Sequence, residues 1–293
     1  MRKSFSDKSI DTINVILLLI FAFVCLFPIL NVLAISLSGS DAINMGKVNI
    51  IPIDIQFESY KAILRNGSLQ GSLIYTIILT ISSTTIAMLA TILAAYPLSK
   101  QKLIGRTPIF IFILITMYFS GGLIPDYLLY KNLKLIDTFW VLILPGAIST
   151  FNLLVLKTFF SAIPTSLEES ATIDGANQWT ILWRIILPLS RPAIATISLF
   201  YAVGRWNGYS DALFFINSPK LKPLQLVLQQ LLSFETSKIM EQQDNLALVQ
   251  EVNLLPESLK SATIIFATVP ILLVYPWLQK YFVKGVMIGS VKG

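Results

Sequence analysis

Long apolar runs without a charged side chain dominate the chain. Five uncharged runs cover Thr12–Ser40, Asn66–Ser99, Thr107–Pro125, Thr138–Leu156 and Ser261–Gln279. Each is close to or longer than the roughly 20 residues that a helix needs to cross the hydrocarbon core of a bilayer. A sixth span over Pro192–Tyr209 is weaker because Arg205 interrupts it. The pattern predicts an all-α integral membrane protein with six transmembrane helices.

The composition agrees with a membrane protein and excludes most catalytic sites. Of the 293 residues, 55% are hydrophobic and 13% are charged, whereas about a quarter of the residues in a soluble domain are charged. The chain has one cysteine, Cys25, and no histidine. It therefore cannot form an internal disulfide, a Cys/His zinc site or a catalytic triad that depends on histidine. We expect that the chain is not an enzyme and carries no catalytic residue, metal site or cofactor of its own.

The spans divide the chain into three parts. Residues 1–11 form an amino-terminal tail, residues 12–279 form the six-helix transmembrane domain, and residues 280–293 form a carboxy-terminal tail. The apolar part of the first span is longer than the roughly 7 to 15 apolar residues of a secretory signal, and no A-x-A cleavage site follows it. We therefore interpret the first span as a retained membrane anchor.

The basic residues indicate how the chain is oriented. More than half of the 22 Lys and Arg residues lie in four segments that are shorter in total than the opposite loops: 1–11, 99–107, 157–191 and 280–293. The positive-inside rule places such segments in the cytoplasm. Both termini are then cytoplasmic and the loop 210–260 lies outside. The net charge of +6 therefore reflects membrane topology rather than binding to nucleic acid.

The charges missing from the spans limit the possible transport mechanisms. All 16 Asp and Glu residues lie outside the six spans, whereas ion-coupled transporters usually keep an ionisable residue or a broken-helix ion site near the middle of the membrane. Secondary transport stays a less favoured alternative, because backbone carbonyls also bind sodium. The sequence has no G-x-x-x-x-G-K-[ST] phosphate loop either, so a pump needs an energy source on another chain.

The longest predicted cytoplasmic loop, 157–191, carries the signals of two short helices. Thr165 and Glu168 have the T-x-x-E spacing of a capping box, which predicts a helix from about Ser166 to Ile173. Gly175 can then adopt the positive φ that ends a helix. A second helix follows, with Asn177 near its start, an apolar stripe of Trp179, Leu182, Trp183 and Ile186, and Pro188 ending or kinking it.

Two interpretations of these helices are open from the residues alone. The first is an amphipathic hairpin that lies on the lipid surface with its tryptophans as anchors. The second is a docking element, in which the small side chains of Ser170 and Ala171 let the first helix approach another protein closely. The spacing of residues along the loop favours the second.

That spacing matches the EAA motif, E-A-A-x3-G-x9-I-x-L-P. The matching residues are Glu169-Ser170-Ala171, Gly175 and Ile185-Ile186-Leu187-Pro188. The chain therefore resembles the membrane subunits of binding-protein-dependent ABC importers, with the small residue Ser170 where the family usually has alanine. The first span with residues 36–64, and the segments 206–232 and 279–293, are similar to the MalG-type carbohydrate permeases and, within them, to the LplC-like branch.

The resemblance implies a type I ABC importer permease (MetI-like) fold and a role as half of a translocation pathway for carbohydrates, with oligosaccharides or polysaccharide fragments as the expected substrates. It implies three kinds of partner: a second, homologous permease, two cytoplasmic ATPase subunits that bind ATP and Mg²⁺, and an extracytoplasmic solute-binding protein. The implied location is the bacterial cytoplasmic membrane. A permease for a non-sugar solute is the alternative within the same family.

The resemblance also assigns roles to residues of the loop and of the carboxy-terminal tail. The implied coupling residues are Glu168, Glu169, Ser170, Ala171, Asp174, Gly175, Ile185, Leu187 and Pro188. The helix around Glu168 to Gly175 is then the coupling helix, seated in a surface cleft of the ATPase. In the tail, Val291, Lys292 and Gly293 are expected to contact the ATPase subunits, the alternative being a flexible tail.

A cluster of polar and aromatic residues lies at the outer end of the fifth span. Its members are Arg205, Trp206, Asn207, Tyr209 and Asp211. One interpretation is an interfacial anchor, with Trp and Tyr at the headgroups and Arg205 snorkelling or pairing with Asp211. The other is a substrate path, because aromatic faces stack on sugar rings and Arg or Asn can donate hydrogen bonds to hydroxyl or carboxylate groups.

Overall fold

The computed structural model describes residues 5–65, 67–233 and 257–273 of the chain. Within these residues the regular structure is helical and no strand occurs, so the predicted all-α fold is confirmed. The described residues form two compact units. The first contains the residues up to 70 together with 228–233 and 257–269, and the second contains 71–227 and 270–273.

Helix α1 (Phe5–Ser36) is a long apolar element of the first unit. Its part from Asp11 to Ser36 has 26 residues, and at a rise of about 1.5 Å per residue it is longer than the hydrocarbon core is thick. The side chains of its most apolar stretch are not buried within this chain, so they contact lipid or another chain in the membrane. The span predicted over Thr12–Ser40 is therefore one helix, and Pro28 lies inside it without ending it.

The rest of the first unit includes α2 (Ser40–Asn44), α3 (Glu58–Arg65) and most of a helix over 257–273, named α14 here. The buried hydroxyl groups of Ser59 on α3 and Ser258 on α14 are 2.6 Å apart. This hydrogen bond satisfies both hydroxyls where water does not reach them. Helix α14 begins before the sixth predicted span, of which residues 274–279 lie outside the described residues.

Helix α4 (Gly67–Ser99) runs through the second unit. It has 33 residues and is therefore about 50 Å long at the usual rise, compared with about 30 Å for the hydrocarbon core. The second predicted span is confirmed as one helix. Two separate clusters of buried side chains pack against α4, one toward each of its ends.

The carboxyl-end cluster joins α4 to α7 (Thr150–Ser161), α9 (Gln178–Ile181) and α11 (Arg191–Asn207). Its buried members are Met88, Ile92, Ala95, Tyr96, Leu98, Leu153, Leu156, Phe160, Ile181, Leu182, Ile186, Ala193 and Ile197. Two hydrogen bonds add to the apolar contacts. The Tyr201 hydroxyl on α11 lies 2.7 Å from Oγ1 of Thr91 and accepts from the backbone N of Ser149 at 3.0 Å.

The amino-end cluster joins α4 to a 3₁₀ turn (Phe139–Leu142), α12 (Ser210–Phe215) and the start of α13 (Leu224–Ser233). Its buried members are Leu79, Val141, Leu142, Ile143, Ala212, Phe215, Ile216 and Leu226. A second 3₁₀ turn, Pro219–Leu221, connects α12 to α13. This cluster holds the loops that carry the predicted outer residues.

The span predicted over Thr107–Pro125 is broken. Helices α5 (Arg106–Tyr118) and α6 (Leu123–Asn132) meet at an angle of 115°. Gly122 lies at the break with a φ of 86°, a conformation that glycine adopts without the steric cost of a side chain. The predicted span is therefore two helices with a sharp bend, because an uncharged run does not reveal where a glycine breaks it.

The span predicted over Thr138–Leu156 is not one helix either. The chain forms the 3₁₀ turn Phe139–Leu142, and α7 begins only at Thr150. Pro145 and Gly146 lie between them and are the two residues least favourable inside a helix. Helix α7 then starts with a side-chain cap from Ser149.

The span predicted over Pro192–Tyr209 agrees with α11. The helical stretch before it, Gln178–Leu189, is bent from α11 by 82°. This stretch contains α9, a π-helical segment (Leu182–Ile186) and α10 (Leu187–Leu189). By length and composition, two helices of the described chain can cross a membrane, or up to four if each bent pair is one span.

Candidate functional site

The first helix of the predicted coupling loop is α8 (Thr165–Ile173). Pro164 precedes it in the capping position, and no side chain caps its amino end, so the predicted capping box of Thr165 and Glu168 is wrong. The carboxylate of Glu168 instead pairs with the ammonium group of Lys100. The Glu168 carboxylate, which a capping box would need, is therefore bound to Lys100 instead.

Gly175 ends α8 as predicted. Its φ is 84°, and the backbone N–H groups of Gly175 and Ala176 donate to the carbonyls of Thr172 and Ala171 at 3.0 and 2.9 Å. This pair of bonds is a Schellman motif, which satisfies the last carbonyls of a helix. A Cβ atom at Gly175 would meet nothing within 4 Å, so the positive φ alone favours glycine here.

The residues of the EAA motif divide between an exposed and a packed group. Glu169, Ser170, Asp174, Gly175 and Pro188 are exposed, whereas Ala171, Ile185 and Leu187 are half-buried. Ala171 and Leu187 pack against the carboxyl-end cluster, so only Ser170 of the two small residues is free to approach another protein. Ile173 is 87% exposed. The EAA motif does not include Ile173, so Ile173 is not among the site residues predicted from the sequence. A large apolar residue at the end of an otherwise polar helix could have pointed to it.

The second helix of the loop begins where the sequence predicts. Oδ1 of Asn177 accepts hydrogen bonds from the backbone N and from Oγ1 of Thr180, at 2.8 and 3.0 Å. The predicted apolar stripe is split, because Leu182 and Ile186 are buried while Trp179 and Trp183 are 61% and 53% exposed. The π-helical segment over Leu182–Ile186 widens the turn and changes which side chains share a face. The helix also passes Pro188 and ends at Leu189.

A connected group of side chains, named the α4 latch here, holds residues 165–189 against the end of α4; these residues, predicted to couple to an ATPase, are called the coupling segment below. The latch consists of Tyr96, Lys100, Glu168 and Gln178. Besides the pair of Lys100 with Glu168, the Tyr96 hydroxyl donates to Oε1 of Gln178 at 2.9 Å. Nζ of Lys100 lies 4.1 Å from the centre of the Tyr96 ring, which is cation–π distance. Sequence reasoning missed this group, since no local pattern connects residues so far apart.

A pocket of about 340 Å³ lies beside the α4 latch. It is lined by Leu93, Tyr96, Pro97, Lys100, Leu103, Gln178, Trp179 and Leu182. Most of these side chains are apolar, and the exposed Trp179 stands at its edge. Residues of α4 and of the helical stretch Gln178–Leu189 both line this pocket.

The predicted outer residues form an ion pair around Arg205. Its Nη1 donates to Oδ2 of Asp211 at 2.5 Å and to the carbonyl of Leu142 at 2.8 Å, and its Nη2 donates to Oδ1 of Asp211 at 3.0 Å. The Arg205 side chain is 10% exposed and that of Asp211 is 33% exposed. The predicted pairing of these two residues is confirmed, and it fixes α11 to α12 and to the 3₁₀ turn.

The other three residues of the outer cluster differ in exposure. Trp206 is 8% exposed, so the face of its ring is not open for stacking on a ligand in this chain. Asn207 is exposed, and Tyr209 is 37% exposed. The structure thus brings Arg205 and Asp211 together and leaves Asn207 and Tyr209 as the accessible members.

A second polar contact joins the loop before α7 to the loop after α12. Oδ1 of Asp137 accepts from the backbone N of Asn217 and of Ser218 at 2.9 and 2.8 Å, and its Oδ2 accepts from the Ser218 hydroxyl at 2.5 Å. The hydrogen bonds from Ser218, chiefly that of its hydroxyl, hold the pKa of Asp137 below its ordinary value. No local pattern of residues predicts this contact.

Some predicted residues lie outside the described residues. These are Val291, Lys292 and Gly293 of the carboxy-terminal tail, and positions 234–256 of the predicted outer loop. In the part of the chain that is described, no group of three or more Asp, Glu, Cys or His side chains is placed to hold a metal ion.

Most of the chain matches a known transporter family. Residues 60–288 match the family described as binding-protein-dependent transport system inner membrane component. Two relatives come from Bacillus subtilis (strain 168). The polygalacturonan/rhamnogalacturonan transport system permease protein YtcP is 43% identical, covering 94% of this chain and 96% of the relative. Protein LplC is 40% identical, covering 100% of this chain and 98% of the relative.

A solved structure has a closely similar fold. It is a chain of the crystal structure of a bacterial ABC transporter involved in the import of the acidic polysaccharide alginate. The two chains superpose with a TM-score of 0.89 and are 32% identical, covering 96% of this chain and 99% of that chain. The similarity confirms the predicted fold of an ABC importer permease.

Proposed function

The chain belongs to the family of binding-protein-dependent transport system inner membrane components, and from this premise we propose that it forms half of the pathway of an ATP-driven importer of oligosaccharides. Its relatives are permease subunits of ABC transport systems, so the chain is a transporter component and not an enzyme. It is an inner membrane component, with both termini on the cytoplasmic side. Its partners are a homologous permease, two ATPase subunits and an extracytoplasmic solute-binding protein.

The exposed side of α8 carries this proposal. Glu169, Ser170 and Asp174 are exposed on a helix of nine residues, and Ile173 beside them is 87% exposed. A large apolar side chain surrounded by exposed polar groups is typical of a residue that becomes buried in a partner. We assign this surface to the cleft of the ATPase, with ATP and Mg²⁺ bound by that partner. The carboxy-terminal residues Val291, Lys292 and Gly293 are proposed to reach the same subunits.

The names of the relatives guide the choice of solute. One relative is named for transport of polygalacturonan and rhamnogalacturonan, and the solved neighbour for import of alginate, an acidic polysaccharide. We therefore propose oligosaccharide fragments of acidic polysaccharides as the first candidates. Of the outer cluster, Asn207 and Tyr209 are the residues accessible to such a solute. The charge of Arg205 is already paired with Asp211, so we propose that Arg205 affects the solute path mainly by holding Asp211 in place.

The test is uptake and ATP hydrolysis by the complete complex in proteoliposomes. We expect uptake of acidic oligosaccharides only when ATP, the ATPase subunits and the binding protein are all present. The variant Gly175→Val, whose β-branched side chain does not fit the positive φ of Gly175, is expected to insert normally and to lose the coupling between ATP hydrolysis and uptake. Uptake by this chain alone, driven by an ion gradient, would contradict the proposal. Uptake of a non-sugar solute in place of any oligosaccharide would contradict its substrate assignment.

A further inference from the structure

The α4 latch contacts both helices of the coupling segment. Lys100 pairs with Glu168 of α8, and Tyr96 bonds Gln178 of α9. The cation–π contact between Lys100 and Tyr96 connects the two interactions. A displacement of either helix therefore acts directly on the carboxyl end of α4.

The ion pair of the latch is partly shielded from water. The side chains of Lys100 and Glu168 are 26% and 19% exposed, and shielded charges are screened less than exposed ones. The next residue, Glu169, is exposed and forms no ion pair with any residue described. The two adjacent carboxylates thus have different surroundings. That of Glu168 binds Lys100 within the chain, and that of Glu169 is accessible to a partner.

The amino end of α4 holds the start of α13. The backbone N–H of Leu224, the first residue of α13, donates to Oγ1 of Thr76 at 2.8 Å in a buried environment. The Thr76 hydroxyl donates in turn to the carbonyl of Ser72 at 2.7 Å. Helix α13 leads into residues 234–256 of the predicted outer loop. The same helix, α4, therefore contacts the coupling segment at one end and, at the other, the start of α13, which lies within this loop.

The helix between the two contacts is uninterrupted. Residues 76–96 contain no proline or glycine, and α4 stays helical through Pro97 to Ser99. Twenty residues of α-helix place Thr76 and Tyr96 about 30 Å apart, which is the thickness of the hydrocarbon core. A helix without a break can carry a displacement over that distance.

We propose that Lys100 and Tyr96 are positioning residues that tie the coupling segment to α4, so that a displacement of α8 is carried along α4 to the start of α13. The inference rests on the proposed function, because it takes the displacement to come from the ATPase. It adds a second route to the direct one, in which α7 and α11 follow the coupling segment through chain connectivity. The latch sets how much of the ATPase movement reaches the outer side.

The experiment compares charge reversals in the complete complex. Lys100→Glu and Glu168→Lys each place two like charges together, and the double variant restores an opposite pair. Lys102→Glu is the matched control, since Lys102 is exposed, lies two residues further along, and forms no ion pair with any residue described. Lys100→Met removes the charge while keeping most of the apolar stem, in case a reversal does not fold. Solute uptake and ATP hydrolysis are measured in the same vesicles.

We expect each single reversal to lower the solute transported per ATP hydrolysed by about fivefold, the effect of a modest interaction free energy. The double variant should recover to within about twofold, while Lys102→Glu stays at the wild-type ratio. If uptake and hydrolysis fall in equal proportion, or the double variant shows no recovery, the latch is only a structural contact and the inference is wrong. Failure of the wild-type complex to transport with ATP would contradict the proposed function instead.

Discussion

The hydroxyl group of Tyr96 donates a 2.9 Å hydrogen bond to Oε1 of Gln178, a residue 82 positions further along the chain. Tyr96 is buried in the carboxyl-end cluster, whereas Gln178 is exposed at the start of α9. The bond thus joins the interior of the helix bundle to the surface of the coupling segment. Since Gln178 is open to water, its amide keeps an alternative partner when this bond is lost.

This difference in environment predicts unequal effects of two Tyr→Phe variants. Tyr96→Phe should lower the free energy of unfolding by about 1 kcal/mol or less, because water can replace the lost donor at Gln178. Tyr201→Phe should cost about 1 to 3 kcal/mol, because it leaves the Ser149 N–H and the buried Thr91 hydroxyl without Tyr201. Thermal unfolding of the detergent-solubilised variants measures both, and a larger loss for Tyr96→Phe would contradict the prediction.

The Thr76 contact at the other end of α4 gives a second pair of variants. Thr76→Val keeps the side-chain shape but removes the acceptor for the buried N–H of Leu224, so it should destabilise the protein by about 1 to 3 kcal/mol. Thr85→Val is the control, because Thr85 is exposed and its hydroxyl donates to the carbonyl of Ile81 in its own helix. We expect less than about 0.5 kcal/mol for this exposed change. Equal losses in denaturation experiments would show that the Thr76 contact contributes nothing specific.

The positive φ of Gly175 predicts a ranking of substitutions. Space is available for a side chain, so the cost comes from the backbone, about 1 to 2 kcal/mol for Ala and more for the β-branched Val. Asn tolerates this conformation better than other residues with a side chain. We therefore expect ATP-coupled uptake to decrease in the order Gly, Asn, Ala, Val. Normal uptake by Gly175→Val, with normal membrane insertion, would mean that the turn after α8 is not needed for coupling.

The features that the sequence predicted correctly depend on neighbouring residues. An uncharged run of sufficient length predicted α4, and a glycine after a short polar helix predicted the turn at Gly175. The broken spans also have local causes, Gly122 and the Pro145-Gly146 pair. The absence of charged residues predicted these spans, and that criterion does not detect residues that interrupt a helix. A membrane segment keeps its apolar composition whether its helix is straight or broken.

The contacts that the sequence did not predict depend on packing. Lys100 and Glu168 are 68 residues apart, and Asp137 and Ser218 are 81 apart, so only the packing of α8 near the end of α4, and of the first 3₁₀ turn near α12, brings them together. The pair of Arg205 and Asp211 spans six residues and could be proposed beforehand. Glu168 shows the limit of local reasoning, since its spacing fits a capping box and its carboxylate binds a distant lysine.

The pair of Arg205 and Asp211 predicts different results for its two partners. Asp211→Asn leaves the Arg205 guanidinium, which is 10% exposed, without a charged partner, so we expect a loss of about 2 to 3 kcal/mol in unfolding free energy. Arg205→Lys keeps the charge but loses the two-pronged geometry, and about 1 to 2 kcal/mol is expected. Thermal unfolding tests both. Arg205 also donates to the carbonyls of Leu142 and Gly208, at 2.8 and 3.4 Å, and a stability unchanged by Asp211→Asn would show that these two carbonyls suffice for Arg205.

The contact of Asp137 with Ser218 predicts a dependence of stability on pH. The hydrogen bonds hold the pKa of Asp137 below its ordinary value in the folded protein, so ionised Asp137 stabilises the fold at a pH above the ordinary aspartate pKa of about 3.9. This contribution decreases as the pH falls below that value and is lost once the pH has passed the lowered folded pKa. We therefore expect wild type to be more stable than Asp137→Asn at pH 6, with the difference shrinking below about pH 4. Ser218→Ala removes the hydroxyl donor but leaves both backbone donors, so its loss at pH 6 should be intermediate. Thermal unfolding of the three proteins across this pH range measures the effect, and a difference that stays constant down to pH 3 would mean that the ionisation of Asp137 does not stabilise this contact.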